Sequence, residues 1–198
     1  AWQLSQVQVG YLLSAGIFGM AIGAVFVSPL ADRIGRRRHV ILCLALITVG
    51  MTLSAFATDV PQMVAFRAAA GIFIGALVSS LNITVSEYCS DQRRGVVMGL
   101  YGIGFPLGSA LGGAASAVLI AKFGWQAPFA LGAIMSAVML VVAWLLLPES
   151  IDYLVERRPA GALEQYNRIA AKLGYEQVQT LPARTERSSG ESRMSAIF

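Results

Sequence analysis

The sequence predicts an all-α protein, a multi-pass membrane helical bundle, and three observations carry that prediction. Hydrophobic residues make up 56% of the 198-residue chain and charged residues only 13%, a balance unlike that of a soluble domain. The apolar residues gather in five runs, each long enough as a helix to cross the ~30 Å hydrocarbon core of a bilayer. Of the 15 Lys and Arg residues, all but Arg67 and Lys122 fall on one side of the topology those runs generate, as cytoplasmic loops require. The formal net charge of +4 therefore reports orientation. It does not mark a nucleic-acid surface, which would need its basic residues clustered on one face.

Residues 1–150 are expected to form a five-helix transmembrane bundle with spans at about 9–29, 40–57, 63–86, 96–121 and 128–147. Trp2 suits an interfacial anchor before the first span, in which Ala15, Gly19 and Gly23 recur every fourth residue and line up as a face for close helix packing. The turn after it, Ser28 to Arg38, carries four arginines within six residues. Such a turn resists translocation and orients the chain, placing the amino end outside and the carboxyl end in the cytoplasm. The second span leads through the external turn Thr58-Asp59-Val60-Pro61 into the third, which holds Arg67 about one turn inside the boundary, then Gly71, Gly75 and Asn82. An arginine in a span costs ~2.5–3.5 kcal/mol on insertion scales and marks a functional candidate, although snorkelling to the interface is the plainer use of the side chain. Asn82 could meet a substrate or bond a neighbouring helix.

The fourth span repeats glycine at Gly104, Gly108 and Gly112, with Pro106 between the first two. That composition favours close packing on one stripe and lowers stiffness at the proline, as in a helix that rocks against another. The fifth span is aliphatic and offers no chemistry. Residues 151–198 are expected as a cytoplasmic loop. Within it 162–173 is an amphipathic surface helix, with Leu163, Tyr166, Ile169, Ala170 and Leu173 on one stripe, and Thr180 to Arg193 is a flexible linker.

Several motifs carry a family resemblance. Asp32-Arg33-x-Gly35-Arg36-Arg37 resembles the loop between the second and third helices of the major facilitator superfamily, with Ser28 where that family usually has a glycine. Arg67-x-x-x-Gly71 resembles an arginine–glycine element of its fourth helix, and Glu87-Tyr88 followed by Arg93-Arg94-Gly95 resembles the loop between its fourth and fifth helices. Pro148-Glu149-Ser150, running on to Arg157-Arg158-Pro159, is similar to the start of the central cytoplasmic loop in the aromatic acid:proton symporter branch. The resemblance covers nearly the whole chain and aligns it with helices two to six plus the central loop, an incomplete amino-terminal half of a twelve-helix transporter.

The resemblance implies a bacterial inner-membrane secondary transporter that takes up an aromatic or other organic carboxylate with a proton by alternating access. Asp32, Arg33, Gly35, Arg36, Arg37, Glu87, Arg93 and Arg94 would form a cytoplasmic gate. Arg67, with Asn82, would serve proton coupling or substrate, pairing with an acidic group that the five spans do not supply. Gly71, Gly104, Pro106, Gly108 and Gly112 would serve helix packing and movement. The partners implied are a small organic anion, a proton, the lipid bilayer and the transporter's remaining helices. Uptake of a sugar or a nicotinate-like acid, or a sensor that moves nothing, are the alternatives; a sugar site would need more amides than Asn82 alone. No catalytic residue, cofactor or metal is expected. His39 sits beside three arginines and reads as part of the positive cluster rather than a base, and Cys43 and Cys89 read as packing residues.

Overall fold

The computed structural model describes residues 5–87, 94–150, 153–155, 158, 161–173, 178 and 180. Among them every regular element is helical. α1 (Gln6–Ile22) starts at Ser5, whose hydroxyl accepts the Gln8 N–H while the Gln8 side chain accepts the Ser5 N–H. This capping box satisfies two donors that a helix start leaves open. The chain then passes through a π-helical turn (Gly23–Val27) and a 3-10 turn (Ser28–Leu30) into the short α2 (Ala31–Ile34). Pro29 lacks the N–H that an α-ladder needs, and the turns re-register around it: the Ser28 N–H reaches back to the Gly23 carbonyl. The first apolar run is thus a continuous helical stretch, Gln6–Ile34, with a widened turn inside it.

Gly35 separates α2 from α3 (Arg36–Ala55) with φ 96° and ψ 142°, a conformation open to glycine and strained for other residues. α4 (Val60–Glu87) is capped by Asp59, whose Oδ1 accepts the Gln62 N–H at 2.8 Å. α5 (Arg94–Phe123) continues unbroken across Pro106. It stops at Gly124, which takes φ 88° and donates its N–H to the Ile120 carbonyl. α6 (Ala127–Leu146) has a proline in its first turn, where the missing N–H costs nothing. Among the described residues, the Gln6–Ile34 stretch, α3, α4, α5 and α6 are the five helices long and apolar enough to cross a membrane.

The packing is the reverse of a soluble core. Buried positions are mostly small or weakly polar, such as Gly19, Gly23, Ser54, Ala70, Ala76 and Ser80, while Phe18, Phe26, Phe105 and Leu145 point outward. Lipid tails are as apolar as leucine, so close approach of backbones, not sequestration of large side chains, holds such helices together. α1 and α4 show this most clearly. A Cβ added at Gly19 or Gly23 would overlap the backbone of Ala68 or Ile72, and one at Gly71 or Gly75 would overlap that of Gly16 or Met20. α3 packs on both α4 and α6. On the α6 side the Thr48 and Ser136 hydroxyls lie 2.9 Å apart, an interhelical polar contact within a segment whose sequence reads as plain aliphatic helix.

The chain divides into two compact units, Ala1–Leu147 and Pro148–Phe198. In the second, α7 (Ala162–Leu173) buries Ala162 and Ile169 together with Leu154, with Tyr166 packed alongside. The Asn167 side chain donates to the Val178 carbonyl and accepts the Val178 N–H, both at 2.9 Å, which pins the chain beyond the helix. The stretch expected as a flexible linker lies outside the described residues, apart from Thr180.

Candidate functional site

Arg67 stands in the second turn of α4, and the neighbouring helix gives it an aromatic partner. Its guanidinium lies over the Phe129 ring of α6, 5.3 Å from the centroid, within the range of a cation–π contact. Trp125 meets Phe129 edge-on at 6.2 Å and extends the aromatic wall. No carboxylate pairs with Arg67 among the described residues. The ring face offers electrostatic attraction without a full counter-charge, so the guanidinium keeps the capacity to meet an anion, for which its planar donor fork is well shaped. Aromatic residues at the start of α6 were not singled out in the sequence as part of this site; their proximity to Arg67 depends on α4 and α6 being neighbours at this level.

At the opposite end of the bundle the arginine turn is folded tightly. Arg36 is buried and its guanidinium pairs with Asp32 at 3.5 Å, one helical turn back across Gly35. Arg37 reaches across to the end of α6, donating from Nε to the Leu147 carbonyl at 2.8 Å and from its terminal nitrogen to the Trp144 carbonyl at 2.6 Å. Carbonyls at a helix C-terminus carry partial negative charge and lack intrahelical donors, so a cation there both neutralises and caps. Arg33 and Arg38 are exposed. His39 is not part of that surface charge. It is fully buried in α3, with Nε2 3.5 Å from the Cys43 Sγ one turn on, because its face of the helix points into the bundle.

The remaining sequence-derived candidates divide by location. Asn82 donates its side-chain N–H to the Val78 carbonyl of its own helix at 3.1 Å. Gly71 lies in the α1–α4 contact. Gly104, Gly108 and Gly112 have nothing within 4 Å of an added Cβ, and α5, which carries them with Pro106, has no buried residue. Arg94 opens α5 and is exposed, Glu87 closes α4, and Arg93 and Cys89 lie outside the described residues. No cluster of three or more His, Cys, Asp or Glu placed to hold a metal ion occurs among the described residues.

Comparison with known proteins adds a family to this geometry. The profile of the Major Facilitator Superfamily matches residues 1–188. The chain is 33% identical over 173 residues to a gallate transporter of Pseudomonas putida, a match that covers 87% of this chain and 38% of that protein. It is 34% identical over 177 residues to the 4-hydroxybenzoate transporter PcaK of Pseudomonas aeruginosa, covering 89% of this chain and 39% of that one. The chain thus spans well under half the length of these relatives. Among solved structures, the proton:xylose symporter XylE superposes with a TM-score of 0.75 at 20% identity, over 87% of this chain and 42% of that one. At that identity the likeness is one of fold.

Proposed function

This chain belongs to the Major Facilitator Superfamily, and from that premise we propose that it forms part of an inner-membrane transporter for the uptake of an aromatic carboxylate together with a proton. The observation that carries the reading is Arg67, a cation inside an apolar helix whose neighbour among the described residues is an aromatic ring rather than a carboxylate. A half-buried cation in an apolar helix, without a full counter-charge, attracts an anion, and the ring beside it suits an aromatic one. The names of the relatives, gallate and 4-hydroxybenzoate transporters, support the same class of cargo.

In this reading Asp32, Arg33, Gly35, Arg36 and Arg37, with Glu87, Arg93 and Arg94, make a gate at the cytoplasmic end. Arg37 holds the end of α6 to the start of α3, and any movement that opens this end has to release or carry that contact. Gly71 belongs to the fixed α1–α4 contact, whereas Gly104, Pro106, Gly108 and Gly112 present a face that slides or rocks during alternating access. The arginine turn faces the cytoplasm because its charges resist translocation.

The test is uptake of radiolabelled gallate and 4-hydroxybenzoate into cells carrying the complete gene, with and without a proton uncoupler. Wild type should accumulate at least one of them in an uncoupler-sensitive way, and Arg67→Ala should abolish accumulation at unchanged membrane abundance. Absence of uptake of any aromatic acid by well-expressed wild type would remove the substrate assignment. Uptake insensitive to the uncoupler would remove the proton.

A further inference from the structure

Polar side chains outside the proposed transport machinery meet at one level between α3 and α4. His39 and Cys43 share a face of α3 one turn apart, with Nε2 3.5 Å from Sγ. Ala76 and Ser80 share a face of α4 in the same way, and the Ala76 carbonyl faces the imidazole. The antiparallel register agrees. A Cβ at Gly50 would meet Ala70 at 3.0 Å, so stepping back along α3 to His39 means stepping forward along α4 to the level of Ser80. All four residues are at most 1% exposed. His39 Nδ1 and Ser80 Oγ are buried with no hydrogen-bond partner, and an orphaned polar atom in a dry contact costs free energy.

The charges around the ring are few. Asp32 of α2 is the acid whose field reaches it, and that carboxylate already pairs with Arg36, which precedes His39 on α3. On α4, Glu87 lies two turns beyond Ser80 and Arg67 towards the other end. α6, the other long helix packed on α3, has no titratable residue.

We propose that His39 is a proton-binding site that controls the α3–α4 contact at the arginine-turn end of the bundle. A neutral imidazole fits the contact, with Nε2 against the thiol. A proton adds a second N–H donor and a full charge where the carboxylate in reach is shared with Arg36. Burying that ion costs far more than burying the neutral ring, so protonation favours an arrangement in which water or Asp32 reaches His39. The helices then part at this end, while the close approach of Gly50 and Ala70 holds them further along. The parted state binds the proton better, so its population rises as pH falls. Histidine suits the task because its charge changes between about pH 5 and 8. The site goes beyond the transport activity proposed above and holds for any cargo.

Cys43 reports the parting, because its buried thiol is shielded until the helices separate. The complete gene product in detergent would be alkylated with N-ethylmaleimide from about pH 7.5 to about pH 5.5, across the histidine range. Cys43 labelling, read by peptide mass spectrometry, would be divided by that of free glutathione in the same sample, which removes the fall in thiolate with acid. The relative rate for wild type should rise as pH falls, by up to about tenfold per pH unit, the limit for one linked proton. His39→Gln and His39→Asn, polar but unable to titrate, should hold it at the low wild-type value of the alkaline end. A wild-type rate that stays level or falls would overturn the proposal. So would a rise that either variant retains, which would assign the proton to a carboxylate. A rate that is high at every pH in both variants would also overturn it, reducing His39 to a packing residue.

Discussion

At the scale of single residues, Arg67 and Gly35 show how far a side chain or a backbone angle can be argued alone. The cost of an arginine inside a span follows from its chemistry and is readable in the sequence. Its contact with Phe129 is not, because the two residues are remote in the chain and belong to helices whose adjacency no local pattern announces. A cation–π contact of this kind is worth ~0.5–2 kcal/mol. The double-mutant cycle Arg67→Met with Phe129→Leu, measured by reversible unfolding of the complete protein, should return a coupling energy in that range, and Phe129→Trp should preserve it. Strict additivity would show that the ring does not hold the guanidinium. Gly35, named from the sequence as part of the gate, has a φ of 96° that a Cβ would strain. Gly35→Ala should therefore destabilise the protein by ~1–3 kcal/mol, whereas Ser28→Ala at the start of the same turn should cost much less. Similar losses for the two would disconnect the effect from backbone strain.

At the scale of helices, two stripes that look alike in the sequence meet different surroundings. Glycine recurs every fourth residue at Gly19 and Gly23 in the first apolar run, and again at Gly104, Gly108 and Gly112 in α5. The first stripe is spent: an added Cβ at Gly23 would run into Ile72, and one at Gly71 into Gly16. The second meets open space among the described residues. Gly71→Leu should thus remove most folded protein from the membrane, because the α1 and α4 backbones would be forced apart. Gly108→Leu should reach the membrane at near-normal abundance and fail in uptake. Membrane abundance by immunoblot beside transport by radiolabel separates these outcomes, and equal abundance of the two variants would contradict the assignment of the stripes. Pro29 and Pro106 give a parallel lesson. The turn before Pro29 widens into a π-helix, whereas α5 continues across Pro106. Both prolines remove the same donor, and the two helices accommodate the loss differently.

At the scale of the whole molecule, the outward face of α5 matters most. The helix is apolar, long enough to span, glycine-striped and without a buried residue. A surface that allows such close backbone approach favours association with another helix. The 198-residue chain expressed alone should therefore run in mild detergent as an oligomer or aggregate by light scattering coupled to gel filtration, and Gly104→Leu with Gly108→Leu should shift it towards monomer. A monodisperse monomer with cooperative unfolding would contradict this expectation.

What the sequence determined by itself is the class of molecule: a helical membrane protein with five apolar runs long enough to cross a bilayer, an arginine-rich turn and the motifs of the Major Facilitator Superfamily. These are legible because the length of an apolar run, the placement of Lys and Arg and a short motif are local properties that the bilayer reads segment by segment. Tertiary structure alone decided which surfaces meet. It set Arg67 over Phe129, carried Arg37 to carbonyls over a hundred residues away, buried His39, and used one glycine stripe while leaving the other open. The physical reason is that inside a bilayer apolar surface is no longer a guide to burial. Neighbours are chosen by shape and by a few polar contacts between helices, and those depend on pairs of segments rather than on any one of them.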